Sequence, residues 1–158
     1  IKTALKINKK EKELGIRSAL AMVASVDKIK EKYSSLTNLD IKIKLPVVLD
    51  SKILQLKTKE FFQSIEKIFG AELINVALQS RETRAGVGKM RGRRYKKSQG
   101  LLFIIGNREE FRINGIEVIN VNQLKIRDIA SNGARLTMFT EEAVKELEKR
   151  LNSQGEKK

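Results

Sequence analysis

Four apolar runs of strand length, at 45–49, 101–105, 116–121 and 136–139, alternate with amphipathic helical segments and are joined by short connections such as 122–132. Together they predict an α/β domain with a mainly parallel sheet of about four strands and helices on both faces. The length agrees, since 158 residues suit one domain, expected to occupy 1–152 and to leave 153–158 as a frayed polar tail. No internal repeat is present.

From the start, Asn8 stands three residues before Glu11 and ahead of Leu14, Ala19, Leu20, Val23 and Val26. That is a capping-box entry followed by a helical apolar stripe, and it predicts a helix over 9–26. The run 45–49, with Pro46 near its front and Asp50 after it, predicts a buried strand. Thr58 is expected to cap the next helix, with Glu60 in its first turn. Phe61, Phe62, Ile65, Ile68 and Phe69 form the buried stripe of that helix, and Gly70 is its stop. Residues 71–79 satisfy neither period cleanly and read as a short helix or an irregular strand.

The run 101–105 is continuously apolar between Gly100 and Gly106, as in a strand covered on both faces, and 116–121 is a second run of this kind. The third, 136–139, leads to Thr140 as the cap of a closing helix. Its stripe is Ala143, Val144, Leu147 and Leu151, with Glu141 and Glu142 at its positive end and Lys149 and Arg150 at its negative end.

Charge is distributed far from evenly. The formal balance is +14, yet residues 98–158 carry ten basic and nine acidic side chains. Residues 81–97 carry eight basic side chains against Glu82 alone, which places half of the excess in seventeen positions. Glycines at 86, 88 and 92 argue against a helix there and predict an extended loop. Such a loop can lie close to a sugar-phosphate surface, and Arg81, Arg84, Lys89, Arg91, Arg93, Arg94, Lys96 and Lys97 supply cations for its oxygens. Tyr95 is read either as a platform for an unpaired base or as ordinary core packing. A solvated charged loop normally mixes signs, whereas this one lacks acidic partners and calls for a polyanion. Lys2, Lys6, Lys9, Lys10, Lys12 and Arg17 form a smaller basic group, of which Lys9, Lys10 and Arg17 are the candidate phosphate contacts.

Composition excludes several chemistries. Cysteine and histidine are both absent, which removes disulfides, thiolate and imidazole metal ligands, and nucleophile–histidine catalysis. Gly86-Val87-Gly88-Lys89 is no nucleotide phosphate loop. One residue separates its glycines where four are required, and Met90 follows the lysine in place of Ser or Thr. The pairs Glu109-Glu110 and Glu141-Glu142 are expected to serve solubility and helix capping. No cofactor, metal or small-molecule substrate is expected, and no membrane partner either, since no apolar run approaches the roughly 18 residues of a membrane span. An intracellular, non-enzymatic protein is the resulting expectation. Its rivals are an enzyme that modifies or cleaves RNA and a general nucleic-acid-compacting protein.

The run Arg84-Ala85-Gly86-Val87-Gly88-Lys89-Met90-Arg91-Gly92-Arg93-Arg94-Tyr95-Lys96-Lys97 closely resembles the signature of the archaeal and eukaryotic large-subunit ribosomal protein four family. Asn8-Lys9-Lys10-Glu11 with Ile16-Arg17-Ser18-Ala19, and Arg135-Leu136-Thr137-Met138-Phe139-Thr140-Glu141, agree with it in order and spacing, so the resemblance spans essentially the whole chain. It implies a three-layer α/β domain bound to large-subunit rRNA among neighbouring ribosomal proteins in the cytoplasm. The positions it implies for rRNA contact are Arg84, Gly86, Gly88, Lys89, Arg91, Gly92, Arg93, Arg94, Lys96 and Lys97. The family's opening strand and its long tunnel-directed extension would lie before Ile1, as in an N-terminally incomplete or processed chain. Glu13, where relatives tend to be basic, and Glu142, where serine is usual, are departures.

Overall fold

Asn8 starts the first helix by accepting a hydrogen bond from the Lys10 amide on its side-chain oxygen, at 3.3 Å. The computed structural model describes residues 7–37, 41 and 43–152; Lys2, Lys6 and the expected tail at 153–158 lie outside the described residues. Helix α1 runs Lys9–Val23, not to residue 26 as the apolar spacing predicts. Ser25 is extended, and α2, Val26–Lys32, restarts on a new axis. Ala24 and Ser25 are both tolerated inside helices, so their local preferences do not reveal the break. Packing decides it: Val23 is buried on one face of the sheet, and Ile29, one turn into α2, reaches the core of the other.

Strand β1, Val47–Leu49, is shorter than the predicted 45–49 and occupies a sheet edge, so Val48 is 48% exposed where a buried strand was expected. A strand with a neighbour on one side only presents part of its surface to solvent. Helix α3, Thr58–Ala77, begins at the residue expected to cap it, and Lys57 takes the cap position. Lys57 is extended, and its carbonyl accepts from the Phe61 amide at 2.9 Å, which leaves Thr58 as the first helical residue. Gly70, at φ 76°, interrupts the run as expected, and helical structure resumes beyond it to Ala77, which resolves 71–79 in favour of helix.

The segment 81–97, expected as an extended loop, is a β-hairpin of β2, Arg81–Thr83, and β3, Tyr95–Lys97. After it come β4, Leu102–Ile105; β5, Glu117–Asn120; the single-turn helix α4, Ile126–Ile129; β6, Thr137–Thr140; and α5, Glu141–Asn152. The main sheet is wholly parallel in the order β1-β6-β4-β5. β4 and β6 are buried throughout, whereas β5 is half-buried along its length because it forms the other edge, not a strand covered on both faces. Alternation along the central strands divides the core. Leu101, Phe103, Ile105 and Met138 pack with Phe61, Ile65 and Phe69 of α3, while Leu102, Ile104 and Phe139 pack with Ala19 and Val23 of α1 and Ala143 and Leu147 of α5. Three layers result, as the α/β reading expects.

Thr140 is the expected cap of α5 and accepts from the Ala143 amide at 3.2 Å. Its hydroxyl also donates to Glu109, which accepts from the Gly106 amide as well, each at 2.6 Å. Glu109 therefore holds the turn after β4 against the end of β6, a role beyond solubility.

Arg135 enters β6 with 2% of its surface exposed. Its Nε donates to the Gly100 carbonyl at 2.6 Å, Nη1 pairs with Glu117 at 2.7 Å, and Nη2 points to the Leu101 carbonyl at 3.5 Å. Close by, the Lys32 ammonium donates to the Ser131 carbonyl at 2.9 Å. Burial, and then the Arg135 charge, hold Lys32 down to about 8 from its ordinary 10.5.

Phe61 touches the rings of Phe62, Phe103 and Phe111 and is fully buried, whereas Phe62, expected in the same stripe, is only partly buried. Phe61→Ala is therefore expected to cost about 3–5 kcal/mol and Ile104→Ala about 2–5 kcal/mol in urea denaturation, with Phe62→Ala markedly milder. The lowered Lys32 value has a testable sign. Between about 8 and 10.5 the unfolded chain keeps a proton that the folded chain has lost, so stability rises with pH across that window. Urea midpoints at about pH 7.5 and about pH 10 should show wild type gaining on Lys32→Met as the pH rises.

Candidate nucleic-acid interface

The hairpin is built by local pairing. Arg81 faces Lys97, Glu82 faces Lys96 and Thr83 faces Tyr95. Below this register the Ser98 amide donates to the Ser80 carbonyl at 3.0 Å, and the Ser80 amide donates to the Ser98 hydroxyl at 2.8 Å. Above it, the Arg84 amide donates to the Arg94 carbonyl at 2.8 Å and the Arg93 amide to the Gly88 carbonyl at 3.2 Å. Gly86 and Gly92 stand at φ 73° and 76°, a region that side chains disfavour, and they let the ribbon turn around a short 3₁₀ segment, Val87–Lys89. These two glycines are thus needed for the fold of the ribbon itself. Gly88, without a positive φ, is half-buried beneath it.

Every other side chain from 81 to 97 is exposed. Glu82, the single acid, bonds to Lys96 across the ladder at 2.9 Å. Arg81, Arg84, Lys89, Arg91, Arg93, Arg94 and Lys97 have no carboxylate partner among the described residues. Tyr95 is not part of the core, the second of the two roles expected of it. It is 43% exposed, outside the core, and its ring face is covered by the Arg81 guanidinium at 3.7 Å, with Arg94 at 5.8 Å. Met90 and Val87 stand exposed at the far end of the ribbon.

The second basic group is not gathered with the hairpin. Lys9 and Lys10 are exposed at the start of α1, the helix that covers the other face of the sheet. Arg17 donates to the Leu151 carbonyl at the end of α5 at 2.5 Å, next to Arg150, which donates to the Val121 carbonyl beside the carboxyl end of β5. The hairpin instead precedes the amino end of β4. Sequence reasoning missed Lys32 and assigned Arg135 no role of its own. Their partners lie 99 and 35 residues away in the chain, so no local pattern could reveal them.

Among the described residues there is no cluster able to hold a metal ion, and no helix is long and apolar enough to cross a membrane. The model of the ribosomal protein L4/L1 family matches residues 2–150. The large ribosomal subunit protein uL4 of Methanocaldococcus jannaschii is 33% identical over 154 residues, 92% of this chain and 60% of its own length. The uL4 protein of Methanosphaera stadtmanae is 32% identical over 90% of this chain and 57% of its own, and that of Thermoplasma acidophilum is 33% identical over 90% and 58%. The chain thus spans about 60% of the length of the curated relatives it matches. A match that takes in both central strands, the helices on each side of them and the basic hairpin leaves one assignment: the chain belongs to the ribosomal protein L4/L1 family.

Proposed function

We propose that the chain is a structural constituent of the large ribosomal subunit, holding large-subunit rRNA through the hairpin at 81–97. One observation carries the reading: besides Lys96, which is paired with the ribbon's single carboxylate, seven exposed basic side chains crowd the ribbon with no carboxylate partner among the described residues. Like charges held this close repel one another, and a row of phosphates relieves that repulsion while releasing counterions. Arg84, Arg91, Arg93 and Arg94 offer forked donors that fit phosphate oxygens, and Lys89 and Lys97 add point charges. The names of the relatives make rRNA the preferred polyanion over duplex DNA.

In this reading the α/β body supplies a rigid mount, and no reaction takes place. Lys9 and Lys10 form a secondary patch. Arg17 contributes to the body through its bond to Leu151. The remaining surface faces neighbouring ribosomal proteins in the cytoplasmic ribosome.

Neutralising about six to eight phosphates should give log affinity a slope of roughly −5 to −7 against log salt, with the duplex coefficient as a guide for folded RNA. Filter binding to large-subunit rRNA at a series of salt concentrations measures this, and a flat series would reject the electrostatic mechanism. Replacing Arg91, Arg93 and Arg94 with Gln should flatten the slope by about 3 while leaving the melting temperature nearly unchanged. Equal affinity for duplex DNA in direct competition would instead indicate a general compacting protein.

A further inference from the structure

At the foot of the hairpin lies a cavity of about 580 Å³, bounded by the end of α2, the last turns of α3, the strand-connecting residues 98–99 and the loop at 131–132. Its volume falls within the roughly 300–1,000 Å³ typical of small-ligand sites, but its walls are polar where such sites are mostly apolar. Lys32, Tyr33, Ser98, Gln99 and Asn132 are among the lining residues.

Lys32 is the unusual group here. An ammonium has three hydrogens to donate, and among the described residues Lys32 gives one of them, to the Ser131 carbonyl. Burial and then the charge of another cation, Arg135, both disfavour its charged form, and Lys32 has no carboxylate partner among the described residues. Lys28, one turn earlier, shows the ordinary alternative, since it is paired with Glu31 at 2.8 Å. Arg135 lies outside the cavity lining and is satisfied by Gly100, Leu101 and Glu117, so it has no donors to spare for a ligand there. A half-buried ammonium with no carboxylate partner among the described residues and two hydrogens unclaimed is a place for an anion.

A lone phosphate would leave most of this space and its hydrogen-bonding walls unused. Gln99 and Asn132 line the same cavity, and their side-chain amides make no hydrogen bond among the described residues; each amide offers the paired donor and acceptor that match a base edge. Tyr33 adds an aromatic wall, anchored by its hydroxyl donating to the Gln99 carbonyl at 3.0 Å. Ser98 and Gln99 directly continue the hairpin, so the cavity adjoins the foot of the ribbon.

We propose that this cavity receives one unpaired nucleotide of the bound RNA, its phosphate on Lys32 and its base edge on the side chains of Gln99 and Asn132. The inference rests on the RNA-binding reading of the hairpin, and it adds a second recognition element of a different kind, a pocket for a base beside a ribbon for the backbone.

The test is a ¹⁵N-detected titration of the full chain with uridine and adenosine 5′-monophosphates, the two free nucleosides, and inorganic phosphate. At least one monophosphate should shift the amides of 32–35, 98–99 and 131–132 saturably. Its nucleoside and inorganic phosphate should each bind there about tenfold or more weaker. Lys32→Gln should weaken the monophosphate by a similar factor and Lys32→Arg should retain it, while Gln in place of Arg91, Arg93 and Arg94 should leave it unchanged. Should Lys32→Gln fail to fold, the near-isosteric Gln99→Glu places a carboxylate at the cavity wall and should expel the nucleotide by itself. Inorganic phosphate matching the nucleotide at these amides, or shifts confined to 81–97, would overturn the proposal. Either result alongside a steep salt dependence for rRNA would reject the pocket and leave the hairpin reading intact; a flat salt series would reject the hairpin.

Discussion

The buried guanidinium of Arg135 is the constraint on which the geometry of both the sheet and the hairpin depends. It stands at the entrance to β6 and binds Gly100 and Leu101, just ahead of β4, and Glu117, the first residue of β5. One planar group thus ties together the amino ends of three adjacent strands. A charge withdrawn from water is tolerated only when its donors are met, and here two carbonyls and a carboxylate meet them. Because Gly100 is among those acceptors, the point where the hairpin rejoins the body is set by the same contact.

The hairpin itself could not be expected to persist alone, since an isolated two-stranded ribbon is marginal in water. Nothing in it is buried except part of Gly88. It relies on the Ser80–Ser98 bonds at its foot, the Glu82–Lys96 pair and the Arg81–Tyr95 stack. These interactions order the ribbon without consuming its charge. Tyr95 shows the division clearly: its ring holds Arg81 in place while the guanidinium keeps its positive charge.

Elsewhere the chain uses its charges internally. Arg150 binds the Val121 carbonyl and Glu13, and Glu146 accepts from both the amide and the side chain of Asn107. Glu109 supports the cap of α5 through Thr140. Within the nearly balanced span 98–158, these side chains hold the body together, whereas at 81–97 only Lys96 and Glu82 form an ion pair among the described residues. Glu13, a departure from the family pattern, belongs to the first set because it is the carboxylate that Arg150 needs.

The sequence by itself determined the fold class, the buried strands at 102–105 and 137–140, the interruption at Gly70, the cap at Thr140 and the position of the charge excess. All of these follow from periodicity, turn chemistry or composition within a few neighbouring residues. Only the tertiary structure decided that α1 ends at Val23, that the strands at 47–49 and 117–120 are edges, and that the basic loop is a paired ribbon whose tyrosine stacks on Arg81. It alone brought Lys32 and Arg135 together and joined Lys32 to Ser131. The physical reason is distance along the chain. A helix break chosen by packing, a strand's place in the sheet and the approach of one cation to another all depend on residues tens of positions apart, and no local pattern encodes such meetings.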